Sequence, residues 1–168
     1  EEILTEFARH HETGEPMPAD LISKLKAAQN FNQGFATVEY LASALVDMAF
    51  HSPAYQAGTD PVVFERDQLA RIGMPSAIAM RHRAPHFQHI FSGDGYSAGY
   101  YSYMWSEILD ADTFMAFMET DVLDQETAAR YREEILSKGG TRPGMELYRN
   151  FRGRDPEIGP LLEKRGLN

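Results

Sequence analysis

Residues 81–110 hold the side chains best suited to chemistry. Three of the six histidines (His82, His86 and His89), four of the eight tyrosines (Tyr96, Tyr100, Tyr101 and Tyr103) and the single tryptophan, Trp105, fall inside this stretch. Gly93, Gly95 and Gly99 predict a loop whose backbone approaches a ligand closely and moves. A helix beginning near Ser97 would set Tyr96, Tyr100, Tyr103 and Glu107 on one face, at i, i+4, i+7 and i+11. Phenol hydroxyls projecting together beside a mobile loop suit hydrogen bonding to a peptide backbone. The same spacing also describes ordinary packing, with rings buried and hydroxyls satisfied at the rim.

Other chemistries fit less well. His82, His86 and His89 are spaced as a metal-binding helix face, but Pro85 opposes a continuous helix and no nearby carboxylate completes the set. His10-His11-Glu12 would need histidine at position 15 to make a His-Glu-x-x-His pair, and that residue is Glu15. The glycine spacing Gly-x-Gly-x-x-x-Gly misses the dinucleotide fingerprint by one residue, and no strand precedes it. No serine lies in Gly-x-Ser-x-Gly. Carboxylate pairs such as Glu133-Glu134 and Asp110/Asp112 read as solvated helix surface or helix ends.

The elements that must position these residues are helical almost throughout. Residues 1–12 read as the end of an amphipathic helix closed by Gly14 and Pro16. Asp20 falls in the first turn of a helix running to about Asn30. Asn32 can cap a helix over 32–51, with Phe35, Val38, Leu41, Ala42, Leu45 and Ala49 as its apolar face. Asp60-Pro61 and Asp124 are N-cap signals, Gly73 and Gly139-Gly140 are stops, and Asp155-Pro156 predicts a last short helix ending at Gly166. No sustained period-2 alternation, internal repeat or dividing linker is present. The expectation is an all-α chain, 1–168 forming a single helical domain.

Composition narrows the function classes. With 43% hydrophobic and 24% charged residues, 168 residues suffice for a folded core. Leu41 to Phe50, the longest apolar stretch, is interrupted by Asp47 and too short to cross a bilayer, so no membrane role is expected. Twenty-five acidic against sixteen basic residues give a net charge of −9, which argues against nucleic acid as a partner. Zero cysteines exclude disulfides and thiolate metal sites and are compatible with a reducing cytoplasm, the expected location.

The run His89-Ile90-Phe91, continued by Gly95-Tyr96-Ser97-Ala98-Gly99-Tyr100-Tyr101-Ser102-Tyr103-Met104-Trp105-Ser106-Glu107, resembles the substrate-binding segment of the thimet oligopeptidase family of zinc metallopeptidases. Thr13-Gly14-Glu15-Pro16, Asn30-Phe31-Asn32-Gln33-Gly34-Phe35-Ala36-Thr37 and Lys138-Gly139-Gly140 extend the resemblance over essentially the whole chain. Arg81-His82-Arg83-Ala84-Pro85 is more similar to the bacterial peptidyl-dipeptidase (dipeptidyl carboxypeptidase) branch than to the endopeptidases.

The resemblance implies a multi-helix bundle that is part of a larger, two-lobed peptidase cutting short peptides and releasing C-terminal dipeptides. It implies that His89 and Tyr103 are the catalytic pair that stabilises the tetrahedral intermediate. Tyr96 then contacts substrate, with Tyr100 adjacent, the Gly93, Gly95 and Gly99 loop closing over it. Arg81, Arg83 or His86 are candidate counter-ions for the substrate's free carboxylate, an intramolecular salt bridge being the structural alternative. The family's zinc is held by His-Glu-x-x-His and a downstream glutamate, and neither matches here. The chain therefore resembles a C-terminal portion without metal ligands, inactive alone, whose catalytic partner is a preceding N-terminal portion. The face that met this portion would be uncovered and would drive self-association through the tyrosines or helix 32–51. A stand-alone helical module that binds peptides without catalysis, and a hydrolase using His82, His86 and His89 for metal, are the competing readings.

Overall fold

A computed structural model describes residues 2–167, which divide into two compact units, one up to Gly34 and one from Phe35 onward. Among the described residues the secondary structure is α-helix, short 3-10 turns and one isolated bridge, so the chain is all-α as the periodicity predicts.

In the first unit, α1 (Glu2–Phe7) ends earlier than the apolar pattern suggests. Arg9 and Pro16 form the isolated bridge across a turn in which Gly14 takes φ +71° and His10 N–H donates to the Glu15 carbonyl at 2.8 Å. Helix α2 (Ala19–Gln29) carries Asp20 in its first turn, where the helix dipole favours a carboxylate.

The second unit is built on α3 (Gln33–Phe50), which starts after Asn32 turns through φ +57° rather than adopting the extended backbone of an N-cap. Its buried side is Ala42, Ser43, Val46, Asp47 and Phe50, whereas Phe35, Val38, Leu41, Leu45 and Met48 are exposed. The expected apolar face is thus largely the outward one: the helix is apolar on both sides, and periodicity alone cannot say which side a neighbour covers. Helix α4 (Pro61–Arg71) opens on Asp60, whose carboxylate accepts from Val62 N and Val63 N at 2.8 and 3.1 Å, and Gly73 at φ +75° follows its end. Ala42, Val46 and Phe50 pack with Phe64, Leu69, Met80, Ala84, Phe87 and Ile90 into one core.

After a 3-10 turn at Ala84–His86, α5 (Gln88–Phe91) is a single turn. Helix α6 (Ser102–Met118) begins at Ser102, not near Ser97, so Tyr96 to Tyr101 lie in turns. Asp124 caps α7 (Gln125–Glu134), accepting from Thr127 N at 2.7 Å. A second 3-10 turn at Leu136–Lys138 precedes Gly139, and α8 (Gly144–Arg152) and α9 (Gly159–Lys164) follow. Asp155 does not cap α9. Its carboxylate accepts from Arg149 Nε at 2.5 Å, and the helix starts later, at Gly159.

The α6–α8 contact is organised by Asp112, which is fully buried. It accepts from Tyr148 Oη, from Arg154 Nη1 and Nη2 at 2.8 and 2.6 Å, and from Glu157 N at 3.0 Å. Burial alone would raise its pKa, but these donors outweigh it and hold the carboxyl below its ordinary value.

Candidate functional site

Helix α5 and the first turn of α6 bring the histidine and the tyrosines together. Tyr103 Oη lies 3.2 Å from His89 Nε2. The His89 ring also sits 4.6 Å, centroid to centroid, from Tyr96 and 6.1 Å from Tyr100, while Tyr100 and Tyr103 meet edge to face at 5.4 Å. Tyr96 and Tyr103 are each more than half exposed, whereas Tyr100 is half-buried and packs against the core, so the rings form a wall rooted in the core through Tyr100. The face expected from a helix starting near Ser97 therefore forms by another route. Tyr96 reaches His89 from a turn, and Glu107 leaves the group to pair with Arg165.

The wall borders an open cleft of about 510 Å³. Arg81, His86, Gln88, His89, Tyr100 and Tyr103 line it above a floor of Tyr40 and Phe87. Arg83 is placed elsewhere. Its Nε lies 2.6 Å from Oε1 of buried Glu65, whose other oxygen accepts from Ala84 N at 2.5 Å. Of the basic candidates, Arg81 and His86 share the cleft with His89 and Tyr103, and Arg83 is in a salt bridge.

The glycines divide similarly. Gly93 (φ +147°) and Gly95 have open space where a Cβ would stand, whereas a Cβ on Gly99 would come within 3.1 Å of the Tyr96 carbonyl oxygen. None of the three borders the cleft. Beyond Gly95 the loop is anchored: Ser97 Oγ donates to the Gly93 carbonyl at 3.1 Å, and Asp47 accepts from Ala98 N and Tyr100 N at 3.0 and 2.9 Å. The glycine-containing loop is thus held at three points in its second half.

Two residues of α3 join this site that the motif reading did not single out. Tyr40 Oη donates to the Tyr100 carbonyl and accepts from Met104 N at 3.2 Å, and its ring stacks on Tyr100 at 5.4 Å. Burial pushes the Tyr40 phenol above its ordinary pKa, against the opposing effect of the Met104 N–H. The available signal was Asp47 itself, an acid inside the longest apolar run.

The residues present do not fit a metal. His82 stacks on Phe87 at 4.9 Å, His89 Nε2 is engaged by Tyr103, and among the described residues no three His, Cys, Asp or Glu side chains stand close enough to share an ion.

What this arrangement can do is hydrogen-bond an extended polar chain and stabilise charge on its carbonyl oxygen. If His89 carries its proton on Nε2, it donates to Tyr103 Oη and leaves the phenol hydrogen free for a substrate oxygen.

The all-α framework thus presents an exposed histidine–tyrosine wall beside an open cleft. The pattern of peptidase family M3 matches residues 1–167, and the chain belongs to that family. It is 40% identical to the dipeptidyl carboxypeptidase of Escherichia coli (strain K12), covering 99% of this chain and 25% of that protein. It is 37% identical to oligopeptidase A of Salmonella typhimurium, covering 99% of this chain and 24% of that protein. A probable cytosolic oligopeptidase A of Arabidopsis thaliana is 38% identical over the same share of this chain. The chain thus spans about a quarter of the length of these relatives. Among the described residues no helix is long and apolar enough to cross a membrane.

Proposed function

We propose that this chain is the substrate-binding wall of a peptidase that hydrolyses short peptides and releases C-terminal dipeptides. The observation that carries the reading is the 3.2 Å contact between Tyr103 Oη and His89 Nε2, made by exposed side chains beside an open cleft that also holds Arg81. When water adds to the scissile carbonyl, negative charge grows on its oxygen. A preplaced phenol donor, backed by the imidazole, stabilises that charge more than the neutral carbonyl. Tyr96 and Tyr100 supply contacts for the peptide on either side of His89. Arg81, with His86 beside it, is the counter-ion for a free C-terminal carboxylate, a role that favours cutting at a fixed distance from the end.

The water-activating machinery, with its zinc, belongs to the preceding N-terminal portion of the polypeptide, because the residues here do not fit a metal. The 168-residue chain is then inactive by itself. The exposed apolar side of α3 is the surface that this portion covers, and in its absence copies of the chain associate through it or through the tyrosines. Operation in the cytoplasm fits the absence of cysteine and the similarity to a relative named as cytosolic.

Product analysis tests the proposal. Incubating the full-length enzyme with an N-terminally blocked peptide should give successive loss of C-terminal dipeptides by mass spectrometry, and little cutting of the same peptide when amidated. Internal cutting indifferent to the C-terminus overturns the dipeptidyl assignment. No cutting of any peptide overturns the peptidase assignment and leaves binding alone.

A further inference from the structure

The tyrosine wall stands on a turn that is costly to form. Ala98 adopts φ +55°, a left-handed conformation that a residue with a Cβ seldom takes, and a Cβ on the adjoining Gly99 would come within 3.1 Å of the Tyr96 carbonyl oxygen. Such a conformation persists where surrounding structure over-determines it, and here α3 does so from two residues on one face, two turns apart. Asp47, fully buried, accepts from Ala98 N at 3.0 Å with Oδ1 and from Tyr100 N at 2.9 Å with Oδ2. Its Oδ1 also lies 2.9 Å from His51 Nδ1, one turn further along the helix. Tyr40, two turns earlier, takes the next segment: its hydroxyl donates to the Tyr100 carbonyl and accepts from Met104 N at 3.2 Å.

The backbone between these two holds is the one that aims Tyr100 and Tyr103. Met104 N follows Tyr103 directly, at the first turn of α6, where N–H groups have no helical acceptor. α3 thereby supplies acceptors for the loop and the helix start together.

We propose that Asp47 and Tyr40 are positioning residues, a clamp from α3 that fixes the Ala98–Met104 backbone and thereby the hydrogen-bonding geometry of Tyr103 with His89. The inference rests on the peptidase reading for its kinetic consequence, but the clamp can be read without it. Neither residue needs to touch the reacting atoms. Both act through the main chain of the loop, which a buried carboxylate can hold only while its two acceptor oxygens face two N–H groups. Asn in place of Asp47 presents an NH2 group to one of them, leaving a buried donor without its partner.

The test has two parts. In the 168-residue chain, Asp47→Asn and Tyr40→Phe are examined by amide hydrogen exchange. Faster exchange at Tyr100 or Ala98 for the first, whichever N–H the new amide group faces, and at Met104 for the second, with Val46 still protected, is the expected result. Unchanged exchange at those amides in folded variants overturns the clamp. In the full-length enzyme, both substitutions are made alone and with Tyr103→Phe. Displacing Tyr103 by about an ångström is expected to cost up to about 100-fold in kcat. That loss should largely vanish when Tyr103 is already phenylalanine, since the clamp acts through its hydroxyl. A loss of equal size in both backgrounds overturns the positioning role and leaves a structural one. If Asp47→Asn fails to fold, Tyr40→Phe, which keeps the ring and deletes one oxygen, carries both measurements. Should Tyr103→Phe alone leave kcat unchanged, the peptidase role of the wall fails, and the exchange data still decide the clamp.

Discussion

Tyr103 Oη stands 3.2 Å from His89 Nε2, although one side chain comes from the first turn of α6 and the other from the single turn of α5. The loop that joins them is tied to α3 through Asp47 and Tyr40. For the proposed role of Tyr103, a donor held in place is what matters, because a transition-state donor must need no reorganisation as charge develops.

Tyr103→Phe therefore separates kcat from KM. In the full-length enzyme, kcat is expected to fall about 100-fold or more, the usual loss for removing one oxyanion donor, with KM little changed. His89→Ala should fall comparably, and the double variant should be little worse than either, because the two groups act as a unit. Steady-state kinetics on one peptide series decides it. Small and equal changes in both parameters would reduce the pair to packing.

The two arginines flanking His82 should behave differently although they are two residues apart. Arg81 borders the cleft and Arg83 is held 2.6 Å from Glu65 Oε1. Arg81→Ala is expected to raise KM for free-acid peptides and to erase the preference over amidated ones. Arg83→Ala should keep that preference and instead lower the melting temperature, since it leaves buried Glu65 short of its cation. The reverse pattern would assign the carboxylate to Arg83 and overturn the placement argued from the cleft.

Asp112 links the second unit's stability to pH. Its folded-state pKa is depressed below the ordinary carboxylate value, since Arg154, Tyr148 and the Glu157 N–H together outweigh the opposing effect of burial. A depressed group contributes stability above its unfolded pKa, about 3.9 for aspartate, and loses it as pH falls through the lower folded value. Denaturant melts should accordingly show stability falling in the acid range below that point. Asp112→Asn should flatten this dependence and cost about 3–5 kcal/mol at neutral pH, the usual penalty for breaking a buried ion pair. A variant as stable as the parent would show that the arginines find other partners.

How far the sequence could be read depends on which interactions are local. Asp60 and Asp124 cap their helices as their positions predict, because an N-cap is decided within four residues. Asp155 looks identical on the page, yet Arg149 engages its carboxylate, and a competing salt bridge from another element is invisible to a local pattern. His89, Tyr96, Tyr100 and Tyr103 do come together, but through a turn and two short elements, not along one helix face. The start of α6 at Ser102 depends on partners about fifty and sixty residues upstream: Asp47 holds the Ala98 and Tyr100 N–H groups in a turn, and Tyr40 Oη takes both the Tyr100 carbonyl and the Met104 N–H that an earlier helix would have joined to each other. Arg81 and Arg83 could not be told apart without knowing where Glu65 lies.

The outward side of α3 gives the last prediction. Phe35, Val38, Leu41, Leu45 and Met48 are exposed along a helix whose other side is the core, an outward stripe more apolar than solvent-facing helix surface usually is. Relatives about four times as long make the remainder of the polypeptide the proposed cover. Leu41→Glu combined with Leu45→Lys places an ion pair at i, i+4 that costs the isolated helix little. In the 168-residue chain this pair should reduce self-association in sedimentation velocity runs without lowering thermal stability. In the full-length enzyme the same pair should destabilise, by about 1.5–3 kcal/mol for each leucine that is no longer buried. Opposite responses of chain and enzyme are the mark of a covered surface. Identical, negligible responses would make the stripe ordinary solvent-facing surface, and the contact with the rest of the polypeptide would have to be sought on the tyrosine wall.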